Sequence, residues 1–314
     1  MSTMLPSPYF TRCALPSLLV LAVGAASASA KVRPAYIDDH TLCRAQPLPA
    51  VVQHLNGVAW KLDTKGKPSP LQEGMTIDEQ EGVKTSESAF VSLLLGDGSR
   101  VVLPSSSQVR LHLVENQAIP QVILEQGQAE AYVIKRASDY DRFQILTPVG
   151  VLGVRGTHFR VRDDGEQSVL EVLDGQVAVQ REKNKVPAES EVKVGARQGL
   201  LFKKQGDLKP MELLPAPRLI GQDGQKGDSP VWRLYLRPVT GAQRYRAQVA
   251  TDKAFMNIKQ ENFSIEPKMS FTGLKASFYH VRVSAYDAHG LEGETGVYDI
   301  FYYPPTPQAQ ATGG

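Results

Sequence analysis

The sequence predicts an all-β protein, a β-roll or solenoid-like domain followed by a β-sandwich. Short runs of alternating apolar and polar residues recur from Val51 onward, the period of half-buried strands. Glycine-bearing turn signals, several of them Asp-Gly, separate those runs. No long stretch combines helical periodicity with helix caps. Composition agrees: 26 Gly and 21 Pro in 314 residues exceed the usual ~12% share slightly, which suits a turn-rich chain. With 42% hydrophobic and 22% charged residues, the chain is ordinary for a globular protein. A formal charge of +2, with no basic stripe, excludes a nucleic-acid binder.

Residues 1–30 contain no Asp, Glu or Lys and one Arg, Arg12. An apolar stretch from Ala14 to Ala26, interrupted by Pro16, leads to Ala28-Ser29-Ala30. This is the pattern of a secretory signal peptide, with cleavage expected after Ala30 and no stable membrane insertion afterwards. Cys43 is then the sole cysteine, so no intrachain disulfide is expected. Residues 31–54 read as a linker or arm carrying Pro34, Pro47 and Pro49. The stretch 50–60 could hold one helical turn.

The first β domain spans residues 55–209. Val91–Leu95, then Gly96-Asp97-Gly98-Ser99, then Val101–Leu103 predicts a hairpin. The same device is expected at Val122–Leu124, Gly127 and Ala131–Ile134, and at Val169–Leu173, Asp174-Gly175 and Val177–Val179. Arg160-Val161-Arg162 runs into Asp163-Asp164-Gly165 in the same manner. Prolines 210, 215 and 217 mark a boundary. A sandwich follows over residues 215–304. Trp232–Leu236 and Tyr245–Val249 alternate, and Tyr279–Asp287 places Tyr279, Val281, Val283 and Ala285 on one face. Residues 305–314 form a tail expected to be disordered.

The residues offer little for catalysis. The six histidines (40, 54, 112, 158, 280 and 289) include no i,i+4 pair, and neither Cys-x-x-Cys nor an Asp-rich calcium loop occurs, so no metal is expected. No Gly-x-Ser-x-Gly elbow or P-loop is present. The pairs Asp38-Asp39 and Asp163-Asp164 read as solvated turn residues rather than paired hydrolytic carboxylates. No catalytic residue and no cofactor are expected.

The run Gly82–Thr85, Gly96-Asp97-Gly98-Ser99 and Leu103-Pro104 resembles the FecR domain. So do Phe143–Pro148, Gly153-Val154-Arg155-Gly156-Thr157-His158-Phe159 and Val172-Leu173-Asp174-Gly175-Gln176-Val177. Thr-Pro followed by Val-Arg-Gly-Thr-x-Phe is the most specific part. The later sandwich is similar to the β domain that often follows FecR domains in exported proteins. The family's namesake joins a cytoplasmic anti-sigma segment and a membrane helix to its periplasmic domain. Removal of residues 1–30 would leave neither here, so direct sigma-factor control is not expected. Residues 31–50 are also too short for the peptidoglycan-binding LysM module of some exported relatives. The resemblance implies a periplasmic, non-enzymatic interaction module of a Gram-negative bacterium, acting in envelope sensing or signalling. Its expected partner is a membrane sensor or an outer-membrane protein. The alternatives are an envelope scaffold that binds peptidoglycan or other proteins, and, more remotely, a carbohydrate-active enzyme.

Within the motif, Arg155, Gly156, Thr157 and His158 are the candidate partner-binding residues. Arg155 offers planar donors suited to a carboxylate, and Gly156 would let a partner backbone approach. The competing reading is structural: Gly156 allows a bend, and Thr157 and Phe159 share one strand face.

Overall fold

Strands account for every regular element that the computed structural model describes. It describes residues 47–114, 119–135, 142–183, 186–187, 191–225 and 230–303. The expected signal peptide, most of the arm with Asp38, Asp39, His40 and Cys43, and the tail lie outside the described residues.

Among the described residues, eighteen strands build a two-layered roll. They are β1 (Ala50–Asn56), β2 (Ala59–Leu62), β3 (Pro68–Pro70), β4 (Thr76–Ile77), β5 (Gly82–Thr85) and β6 (Phe90–Leu94). Next come β7 (Arg100–Leu103), β8 (Gln108–Leu113), β9 (Pro120–Val133), β10 (Phe143–Thr147), β11 (Gly150–Val154) and β12 (Thr157–Asp163). The roll ends with β13 (Gln167–Asp174), β14 (Gln176–Lys183), β15 (Val186–Pro187), β16 (Val192–Gly195), β17 (Gln198–Lys203) and β18 (Met211–Glu212). One layer, here the near sheet, runs β4-β1-β6-β7-β9-β12-β13-β17-β18. The far sheet runs β3-β2-β5-β8-β9-β10-β11-β14-β16. Among the described residues, only the β9–β10 pairing in this roll is parallel.

The long strand β9 belongs to both sheets, and Gly127 is where it crosses. Before it, Val122 and Leu124 point into the core; after it, Ala129, Ala131 and Val133 do. The inward parity thus slips by one residue. Gly127 absorbs the slip at φ +84°, and a Cβ there would stand 2.5 Å from the Ser106 carbonyl oxygen. The expected hairpin at Gly127 is therefore a bend within one strand. The expected hairpin at Asp174-Gly175 is also absent. β13 pairs with β12 and β17, whereas β14 pairs with β11 and β16, so this turn carries the chain from near sheet to far sheet. Sequence alternation marks a sharp turn but not which strand lies beside the next. Hairpins do form at Gly96–Ser99 and Asp163–Gly165.

Two smaller expectations are also corrected. Residues 50–60 form β1 and β2 rather than a helical turn, because β1 pairs on both sides, with β4 and β6. Asp163 is buried, not solvated: its carboxylate accepts the Gly165 N–H at 2.8 Å and the Ser168 hydroxyl. Asp164 is the exposed turn residue. The N–H groups of Gln167 and Glu166 bond its carboxylate and lower its pKa.

The remaining strands form the sandwich. They are β19 (Leu219–Gln225), β20 (Val231–Leu236), β21 (Arg244–Ala250), β22 (Ile258–Ser264), β23 (Lys268–Thr272), β24 (Ser277–Tyr286) and β25 (Gly296–Tyr302). Its far sheet is β19-β20-β23 and its near sheet β22-β21-β24-β25. Trp232 anchors the core between them, stacked on Tyr302 at 4.8 Å, with its indole N–H donating to Gln222 at 2.8 Å. Tyr279, Val281, Val283 and Ala285 face this core as the alternation predicts. The roll has its own core, containing Leu93, Phe143, Phe159, Val161, Leu170 and Val172. Burying each large side chain contributes roughly 1.5–3 kcal/mol. Both cores belong to one compact unit.

Candidate functional site

Strand alternation gives β24 two faces, and both are buried. His280, Arg282, Ser284 and Tyr286, opposite the sandwich core, are each no more than 6% exposed. β21 repeats the pattern with Arg246 and Gln248. The roll answers with the face of its near sheet turned away from its core: Glu130 and Tyr132 on β9, His158 and Arg160 on β12, and Glu171 on β13. These two polar faces pack against each other.

Apolar residues seal the junction on both flanks. Phe90 and Val102 of the roll pack with Ala250, Phe255, Met256 and Ile258 of the sandwich. On the other flank Val169, Leu213 and Leu291 form a second cluster. The guanidiniums and carboxylates of Arg160, Arg246, Arg282, Glu130, Glu171 and Glu292 are thereby buried, where an ion pair is both stronger and costlier to break.

The first charged group centres on Glu130. Arg282 grips it with two nitrogens at 2.7 and 2.5 Å, and lies over the Phe255 ring at 4.6 Å. Tyr132 donates its hydroxyl to Glu130 at 3.0 Å, and His158 Nε2 stands 2.7 Å from the same carboxylate. The His158 ring stacks on Tyr132 at 4.0 Å. Burial opposes the charge on Glu130, but Arg282 and His158 outweigh it and hold the carboxyl well below its usual range. Burial, reinforced by Glu130, raises the Tyr132 hydroxyl, which stays a neutral donor.

The second group centres on Glu292, in the loop after β24. Arg160 meets its Oε1 at 2.6 Å and Arg246 its Oε2 at 2.9 Å. Ser284 and Tyr286 donate to it at 2.5 and 3.0 Å. Arg160 also donates to the carbonyls of Glu292 and Gly293 at 2.9 and 2.7 Å, and Arg246 pairs with Glu261 at 2.5 Å. Burial is again the largest influence on Glu292, yet Arg160 and Arg246 bring it down to about 2. Glu171 fares differently. It accepts the Glu292 N–H at 3.1 Å, but its nearest guanidinium nitrogen, Arg160 Nε, is 3.9 Å away. Burial pushes Glu171 up to about 7, against the pull of Arg160 and with the help of Glu292.

The four sequence-predicted site residues do not act as a group. Thr157 is buried, its hydroxyl 3.1 Å from the carbonyls of both Arg155 and Gln176, where it ties two sheet-crossing corners together. Gly156 (φ +61°) is one of those corners, and Gly175 (φ +83°) the other; a Cβ on Gly175 would lie 2.6 Å from the Gly156 carbonyl oxygen. Arg155 faces a shallow trough on the far sheet with Arg142, Gln176 and Lys193. His158 alone reaches the junction. It lines a cleft of about 460 Å³ with Tyr132, Lys253, Phe255, Arg282 and Val297.

The cleft opens toward the rim of the sandwich. There the edge strand β25 exposes Val297 and Phe301, followed by Tyr303, with Phe278 directly opposite Phe301 on β24. Asp299 lies between Val297 and Phe301 on the same face, 2.6 Å from His280 and 3.6 Å from Lys253. Sequence reasoning missed Glu130, Glu171, Arg246, Arg282 and Glu292. The available signal was charge at alternate positions of strands from both domains, such as Glu130 between Ala129 and Ala131, which reads equally well as a solvated face.

Several known proteins are similar to this chain. Two crystal structures of a proposed anti-sigma factor from Parabacteroides distasonis ATCC 8503 share 19% identity at a TM-score of 0.35, over 42% of this chain and 59% of theirs. The extracellular domain of a proposed hybrid two-component system from B. thetaiotaomicron shares 11% identity at a TM-score of 0.19, over 75% of this chain and 39% of that one. The chain thus spans less than two thirds of the length of either. No curated protein matches it. Residues 81–178, from the start of β5 into β14, match the model of the family described as FecR protein. This span holds the Gly96–Ser99 turn and the Val154–Phe159 motif, and this part of the chain is a FecR domain.

Proposed function

We propose that this protein is a non-enzymatic protein-binding module of the bacterial envelope, acting in sensing or signalling from the periplasm. The observation that carries this reading is the FecR domain at residues 81–178. The junction supports it: apart from Glu171, its buried acids and bases answer one another, the arrangement of a structural joint. The contact surface in this reading is the rim of the sandwich. Among the described residues β25 is the edge strand of its sheet, the position at which an incoming strand can pair. Its exposed apolar residues, beside Phe278, form the kind of patch that marks a protein contact. The partner is a membrane sensor or an outer-membrane protein.

The test is crosslinking of the tagged full chain in cells, with mass spectrometry of the captured proteins. Capture of a membrane sensor or outer-membrane receptor, lost in Phe301→Glu, is the expected result. Arg155→Glu, run alongside, asks whether the motif arginine contributes: capture should weaken with no change in melting temperature if it does. Recovery of peptidoglycan-linked proteins alone would favour an envelope scaffold instead.

A further inference from the structure

Counting guanidiniums against carboxylates, and leaving aside the His158 imidazole beside Glu130, the roll–sandwich junction balances only when one carboxyl is left out. Glu130 and Arg282 satisfy each other. In the second group, the guanidiniums of Arg160 and Arg246 are matched by the carboxylates of Glu292 and Glu261. Glu171 is the surplus acid. It is 2% exposed, with one backbone N–H at 3.1 Å and no guanidinium nitrogen closer than 3.9 Å. That nitrogen, Arg160 Nε, is itself buried without a hydrogen-bond partner.

Among the described residues, the only guanidinium besides that of Arg160 that pulls on the Glu171 charge is that of Arg162, and its pull is outweighed by burial. From β12, Arg162 is half-buried and donates to the Gly290 carbonyl at 2.9 Å. From β17, the opposing residue is Gly199. From β21 and β24 come Arg246, Ser284 and Tyr286, all directed at Glu292. Beyond Glu292 in the same loop, Glu294 pairs with Arg197 at the surface.

We propose that Glu171 is a proton-operated latch between the roll and the sandwich: neutral, it completes a charge-balanced junction; ionised, it adds an unmatched negative charge and loosens the docking. The raised position of its titration agrees with this geometry. Docked, Glu171 binds its proton more tightly than a solvent-exposed glutamate does. The stabilising effect is fully present below about pH 4.5 and is lost as pH rises through about 7. Over that window the ratio of docked to open forms should fall by up to about 300-fold, from the titration shift. An envelope module with this latch would close in acid and open toward neutral and alkaline conditions.

The experiment is urea unfolding of the full chain between pH 4.5 and 8, comparing the natural sequence with Glu171→Gln, which holds the neutral form permanently. The midpoint of the natural protein should fall with rising pH relative to the variant's, with most of the divergence complete by about pH 7. Glu292→Gln provides a second arm. With the partner of Arg160 neutralised, an ionised Glu171 becomes the matching carboxylate, and the trend with pH should flatten or reverse. Parallel profiles for the natural protein and Glu171→Gln across the whole range would overturn the proposal.

Discussion

Arg282→Met should separate the roll from the sandwich. The substitution keeps much of the aliphatic volume over Phe255 but removes both nitrogens that grip Glu130. Glu130 is 2% exposed and would retain only Tyr132 and His158. Removing one member of a buried pair strands the other charge and costs roughly 3–5 kcal/mol. That is a large part of the ~5–15 kcal/mol that holds an ordinary domain together. The loss falls on the junction and leaves both hydrophobic cores intact. The molecule carries two tryptophans, Trp60 in the roll and Trp232 in the sandwich core. Trp60→Phe therefore leaves a reporter for the sandwich alone. In urea, Trp232 fluorescence and far-UV circular dichroism should change together in the parent protein and at different concentrations after Arg282→Met. Adding Glu130→Gln removes the stranded charge and should restore most of the loss. A cost below about 1 kcal/mol for Arg282→Met, or a double variant as unstable as the single one, would refute the buried-pair argument.

Two further outcomes follow from named contacts. Gly127→Ala forces a side chain into positive φ and against the Ser106 carbonyl oxygen; it should cost at least about 1–3 kcal/mol, read as a lowered melting temperature. On the acid side, Glu292 is held at about 2, so its contribution is present above about pH 4.5 and lost as pH falls toward 2. That amounts to about 3 kcal/mol, and Glu292→Gln should lack this acid limb in a pH series of unfolding midpoints.

Much of the fold was legible in the sequence because strand alternation is a local property. The predicted runs at Val91–Leu95, Arg160–Arg162, Trp232–Leu236 and Tyr279–Asp287 lie in strands except for their end residues Leu95 and Asp287. Their pairing was less legible. Gly127 and Asp174-Gly175 carry hairpin chemistry yet carry the chain between sheets, a choice settled by which surface each strand must bury. The junction was hidden for a related reason. Arg246, Arg282 and Glu130 sit at the alternate positions that period-2 reasoning assigns to solvent. Only a second β layer across the chain, more than 100 residues away for the Glu130–Arg282 pair, removes them from water. The Arg155–His158 motif was visible as a unit, but consecutive strand residues point to opposite sides, so its members divide between the far-sheet trough, a buried corner and the junction cleft.

The most direct test of the buried junction is the reactivity of individual arginines in the native full chain. Phenylglyoxal modification, followed by mass spectrometry, reads each guanidinium separately. Arg160, Arg246 and Arg282 are 2%, 3% and 6% exposed, whereas the Arg197 side chain is 68% exposed. Arg197 should react readily, while the three junction arginines stay unmodified until urea unfolds the protein. Modification of Arg160, Arg246 and Arg282 at the rate of Arg197 under native conditions would contradict a joint sealed between roll and sandwich.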